Sequence, residues 1–184
     1  MGKTILEAKL KPRYLMHDPL AAKIFEHVQG CDCRKIKELE RLVAEAISTG
    51  RLDIFKMADE DGLTFLMTAS LLSKPAFASM LAPLSNPNAE CSMGMTALRL
   101  AIDAGCVDCS TLLLPLTDVR IFDHQDVSPR TAIQYNQRFS HAEVDALLIM
   151  HDQRLAALKA FDEMRSIAES TPASSSSSRQ MARI

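Results

Sequence analysis

Cys106-Val107-Asp108-Cys109 has the spacing of a redox or metal-binding pair, and Cys31-Asp32-Cys33 could supply the other half of a four-thiolate zinc site. The alternative reading is structural, with a reduced cysteine packing as a small hydrophobe on a helix. His17, His27, His124, His141 and His151 contain no pair at helical spacing and no His-Glu-x-x-His motif. The carboxylates of Asp59-Glu60-Asp61 could act as acid and base, but beside Gly62 they read as solvated turn residues. No P-loop, nucleophile elbow or Gly-x-Gly-x-x-Gly segment occurs, and with only six glycines the sequence offers no phosphate cradle. No enzymatic activity and no cofactor follow from these residues. What the cysteines leave open is a metal or redox protein using Cys106 and Cys109.

These side chains sit in a chain of 184 residues, 47% hydrophobic and 5% aromatic, enough for one cored domain rich in helix-forming Ala, Leu and Met. Residues 51–127 carry 5 basic against 10 acidic groups, which disfavours a phosphate backbone and would steer a basic partner. Residues 1–18 carry four basic groups without the apolar run of a secretory signal, and Leu6 breaks the myristoylation pattern that Gly2 opens. The segment from Leu63 to Leu84 has the length of a membrane span and holds one charge, Lys74. Its five hydroxyl side chains and the Ser73-Lys74-Pro75 break make it a buried helical hairpin instead. Five cysteines, an odd number, suit a reducing compartment, so the expected location is cytoplasmic.

An internal repeat organises the middle of the chain. Asp59-Glu60-Asp61-Gly62-Leu63-Thr64-Phe65-Leu66-Met67-Thr68-Ala69 aligns with Cys91-Ser92-Met93-Gly94-Met95-Thr96-Ala97-Leu98-Arg99-Leu100-Ala101. A weaker copy starts at Asp123, at the same spacing again, with Asp126 for Gly and Ser128 for Thr. The Gly allows a tight turn, the Thr caps a helix, and Leu and Ala three apart share one helix face. A second helix follows in each copy, at Pro75–Leu81, Val107–Leu114 and Glu143–Met150. In the third copy Arg130 takes the place of a buried Leu.

At these residues the sequence resembles the ankyrin-repeat family, whose repeats carry Gly-x-Thr-Pro-Leu-His-x-Ala. Phe65 and Ala97 replace the usual Pro, and Met67 and Arg99 the usual His. The resemblance implies an all-α fold: a solenoid of about three and a half stacked helix-turn-helix units with extra N- and C-terminal helices. The expected divisions are an N-terminal helical or irregular extension (1–35), a repeat domain (36–152), a C-terminal helix (153–170) and a disordered Ser-rich tail (171–184). Ile36 to Gly50 reads as an amphipathic helix, with Leu52 to Met57 as the shortened second helix of a capping unit and a kink near His151-Asp152 further on. The resemblance further implies a protein-binding module: an adaptor, an inhibitor, or a bacterial effector delivered into a host cell. The family's hairpin tips and inner helix faces fall on Asp61, Leu63, Leu71, Leu72, Met93, Met95, Asp103, His124 and Gln125. A Met-Leu patch rimmed by Asp61 and Asp103 would take a protein segment with hydrophobic anchors and flanking Lys or Arg, with no nucleic acid and no membrane involved. Phe161 and Met164 on the C-terminal helix are candidates for self-association.

Overall fold

A computed structural model describes residues 18–30 and 36–170. The expected 171–184 tail and positions 1–17 lie outside it. Among the described residues the secondary structure is helical: α1 (Pro19–Gln29), α2 (Ile36–Ser48), α3 (Phe65–Leu71), α4 (Pro75–Leu81), α5 (Ala97–Ala104), α6 (Val107–Leu113), α7 (Pro129–Tyr135) and α8 (His141–Ser170). Each odd-numbered helix packs on the next odd one, each even helix on the next even one, and neighbours in sequence close each pair. The result is four helix pairs in two rows, with α1, α3, α5 and α7 in one row and α2, α4, α6 and α8 in the other.

The repeated residues act as their chemistry dictates. Thr64, Thr96 and Ser128, evenly spaced along the chain, each accept a hydrogen bond from the backbone N–H three residues on, at 3.3, 3.3 and 3.1 Å. Gly62 and Gly94 adopt φ of +75° and +71°, and Asp126, the third copy's substitute, follows at +57° because Asp tolerates the left-handed region better than most side chains. Gly105 ends α5 in the same conformation, and Ser73, its equivalent one repeat earlier, is forced into it at φ +53°. The apolar stretch from Leu63 to Leu84 folds as α3 and α4, and α3 is buried along nearly its whole length. Its Thr68 and Ser70 hydroxyls donate to the carbonyls of Thr64 and Leu66, so these buried polar groups are satisfied within the helix.

Three expectations about the ends of the stack need revision. The first helix pair is α1 with α2, not residues 36–50 with 52–57. Asp18 accepts from the N–H groups of Leu20 and Ala21, Pro19 fits the first turn, and Leu20, Ala21, Ile24, Phe25 and Val28 bury one helical stripe. The Phe25 ring lies 6.2 Å from that of Phe65, joining α1 to α3. Leu52–Lys56 is a 3-10 turn that leads into the first hairpin while burying Ile54 and Phe55. The second helix of the last unit begins at His141, where Ser140 and Glu143 bond reciprocally, and the bonds that Ser140 N and Oγ donate to the Glu143 carboxylate hold it below its ordinary pKa. It continues to Ser170 as one unbroken element of 30 residues; at the expected kink, His151 is buried and its Nδ1 lies 3.0 Å from Asp152 Oδ1. Arg130, which takes the place of a buried Leu in the third copy, is exposed and ion-paired to Asp152 on α8.

Candidate protein-binding surface

The segments before α3, α5 and α7 are tight hairpins that share a backbone plan. Asp59 N donates to Leu63 O, Cys91 N to Met95 O and Asp123 N to Val127 O, at 3.1, 3.0 and 3.3 Å. In the outer two, the aspartate Oδ1 also accepts from two N–H groups of its own turn: Asp61 and Leu63 on Asp59, Gln125 and Val127 on Asp123. Successive tips are joined main chain to main chain. Ser92 N donates to Asp61 O at 2.8 Å, and His124 N donates to Met93 O at 3.1 Å. The glycines of the first two hairpins permit this approach. A Cβ on Gly62 would sit 3.0 Å from Ser92 N, and one on Gly94 would meet the His124 ring at 2.5 Å.

This geometry sorts the expected binding residues. Asp61, Met93 and Gln125 occupy equivalent tip positions and all are exposed, Met93 at 44%. His124 is exposed beside Gly94. Asp103 is exposed and ion-paired to Arg99. Leu71 and Leu72 are half-buried at the end of α3, with Leu71 packed on the core. Leu63 does not belong to the surface: it is 5% exposed and part of the core, because the chain turns inward straight after the left-handed residue. Met95, its equivalent, is half-buried and packed on the core, so of the two methionines only Met93 presents a free face. Tyr135 was missed. It stands one repeat after Asp103 and two after Leu71, at the same position of the next inner helix, and is 73% exposed. The repeat spacing itself is the signal that could have found it.

Between the second and third hairpins lies an ionic joint. Arg99 Nη1 reaches Asp123 Oδ2 at 2.8 Å while Arg99 Nε reaches Asp103 Oδ1 at 3.0 Å. The Arg99 side chain is 13% exposed and that of Asp123 1%. The adjoining recess, lined by Gly94, Thr96, Ile121, Val127 and Pro129, has no room for a water-sized sphere, so this joint is packing rather than a ligand pocket. At the other end of α5, Asn136 Nδ2 donates to Ile102 O and Arg138 Nη1 to Asp103 O, satisfying helix-terminal carbonyls from the next unit.

The cysteine pair has a different environment from a reactive site. Cys106 is the N-cap of α6, its Sγ accepting from Cys109 N at 3.3 Å, and both thiols are buried. Burial, helped by the Cys106 hydrogen bond, pushes the Cys109 thiol well above its ordinary pKa, away from the thiolate that metal binding and redox attack both need. Cys31 and Cys33 lie outside the described residues. No group of three or more metal-ligating side chains occurs among the described residues. No described helix is long and apolar enough to cross a membrane.

No protein-family model matches the chain, and no curated protein is similar enough to count as a relative. The surface has to be read from its own chemistry.

Proposed function

We propose that this chain is an ankyrin-repeat-like protein-binding module that takes a partner segment along its hairpin tips and inner helix ends. The observation that carries the reading is the pair of main-chain bonds between successive tips, which hold Asp61, Met93 and Gln125 at regular intervals; Leu71, Asp103 and Tyr135 recur at the same interval at the far ends of the helices that follow. An exposed Met and Tyr among acidic groups suits a partner that offers apolar anchors with flanking Lys or Arg. The acidic middle of the sequence extends that preference to long range, and such steering weakens with salt. Adaptor, inhibitor and host-delivered effector are all uses of such a surface. Cys91, Cys106 and Cys109 are free and buried, which supports a reducing, cytoplasm-like working environment.

Affinity capture from native lysate tests the reading. The parent chain is compared with Met93→Asp combined with Tyr135→Asp, and with Ile47→Asp on exposed α2 as a control. Loss of the same captured protein in the first variant alone, with helical signal and melting temperature unchanged, supports the groove. Equal capture by all three chains refutes it.

A further inference from the structure

The hairpins before α3, α5 and α7, residues 58–63, 90–95 and 122–127, contain no Lys or Arg. Glu60, Asp61, Glu90 and Asp126 are exposed on them, and so are two apolar side chains, Met93 and Phe122, the latter at 54%. Acidic and apolar groups thus share one edge of the stack, the edge where the inner helices begin. Asp18 caps α1 as Thr64, Thr96 and Ser128 cap the next three inner helices. Each of those three caps follows a hairpin, and α1 packs on α3, so the chain enters α1 at the hairpin edge, next to the first tip. Arg51 fixes that point by an ion pair with the Asp18 carboxylate.

The residues that precede Asp18 have the chemistry this edge lacks. Residues 1–17 carry Lys3, Lys9, Lys11 and Arg13 against Glu7 alone, with Leu10, Tyr14, Leu15 and Met16 set among the cations. Apolar anchors flanked by Lys and Arg are what acidic hairpins bearing an exposed Met and Phe select. Reach is ample. At about 3.3 Å per residue the segment can extend about 56 Å, whereas the inner row from α1 to α7 spans three helix spacings, roughly 27 Å. Attachment at Asp18 also gives the segment an effective concentration on the order of millimolar, so that even a weak match keeps it in place.

Building on the assignment of the hairpin edge as a binding surface, we infer that residues 1–17 dock on that edge of their own chain and must be displaced before an outside partner binds. A fluorescent peptide of residues 1–17 reads the occupancy by anisotropy. The full chain carrying Lys9→Glu, Lys11→Glu and Arg13→Glu together should bind it at least about tenfold more tightly than the parent, because its own segment no longer competes. Adding Met93→Asp to that variant should abolish the binding while circular dichroism stays that of the parent. In the unaltered chain, a carbodiimide should join Lys9 or Lys11 to Glu60, Asp61 or Asp126 within one molecule, at a yield independent of protein concentration. Equal peptide affinity for the parent and the triple variant, lost on Met93→Asp, would overturn docking in cis and leave the binding surface standing. Crosslinks that form only between chains would overturn it as well, making a second copy the source of the segment. Peptide binding to none of the chains, or binding indifferent to Met93→Asp, would also sink it; capture from native lysate then judges the surface separately.

Discussion

Replacing Arg99 by Met tests the joint between the second and third hairpins most directly. The variant removes the only charged partner of Asp123 Oδ2 among the described residues, on a side chain that is 1% exposed. Breaking a buried ion pair from one side costs about 3–5 kcal/mol. Two circumstances reduce that here: Asp123 Oδ1 keeps its bonds from Gln125 N and Val127 N, and Arg99 is itself 13% exposed. A loss of about 2–4 kcal/mol is expected, or about 4–15 °C in melting temperature for a domain of this size. The outward bond to Asp103 contributes little, since exposed pairs are worth about 0–1 kcal/mol. The molecule supplies its own apolar comparison, because the equivalent positions in the preceding repeat are the buried Met67 and Cys91. Asp123→Asn, which retains the turn-capping oxygen, should cost about 1–3 kcal/mol, and the double variant should lose less than the two singles together, with a coupling of about 1–3 kcal/mol. Denaturant unfolding followed by circular dichroism measures all four chains. A coupling within about 0.5 kcal/mol of zero would refute the claim that the two side chains act as a buried pair.

Leu98→Ala and Leu113→Ala remove fully buried side chains from the stack and should each cost about 2–5 kcal/mol, read as a lower denaturation midpoint; unchanged midpoints would contradict the packing described. Gly94→Val should destabilise severely, because it places a β-branched residue at φ +71° and drives Cβ into His124, and a melting temperature equal to the parent's would sink that account. Ser73→Gly should raise the melting temperature modestly, as the glycine at the equivalent Gly105 adopts this conformation without strain; a decrease would show that the Ser73 side chain contributes more than its backbone costs. Burial raises the pKa of Asp59, whose Oδ2 has no hydrogen-bond partner among the described residues. In acid the carboxyl is protonated in both folded and unfolded chains, but above its ordinary value of 3.8 the unfolded chain ionises first and folding loses stability. The stability of Asp59→Asn relative to the parent should therefore rise with pH through the carboxylate range, and a flat difference would count against the burial argument.

The hairpins and their helices were legible because the turn glycine, the capping hydroxyl and the Leu–Ala face recur together at one fixed spacing. In the first helix pair α2 was legible as the amphipathic run from Ile36, but α1 was not. Asp18 and Pro19 start α1 by different chemistry from Gly-x-Thr, and its distance from α3 does not keep the repeat spacing, so no alignment reaches it. The surface was legible only where exposure follows register. Asp61, Met93 and Gln125 repeat in step and share one environment, whereas Leu63 lies two positions from an exposed tip and yet is core. That reversal depends on where the chain turns back after Gly62, a three-dimensional fact that residue type alone does not carry. The pairing of Arg99 with Asp123 was hidden for a related reason: its members are 24 residues apart, on a helix and on the following hairpin.

The bonds from Ser92 N to Asp61 O and from His124 N to Met93 O involve no side-chain atom of the residues they join. Tip spacing is therefore indifferent to which amino acids occupy Asp61, Met93 or Gln125, so long as the glycine beneath Ser92 and the glycine beneath His124 stay small. Substitutions at these three places can exchange acidic for basic or apolar for polar while the intervals between them hold. A scaffold of this kind can change what it recognises one side chain at a time, each change leaving the others where they were.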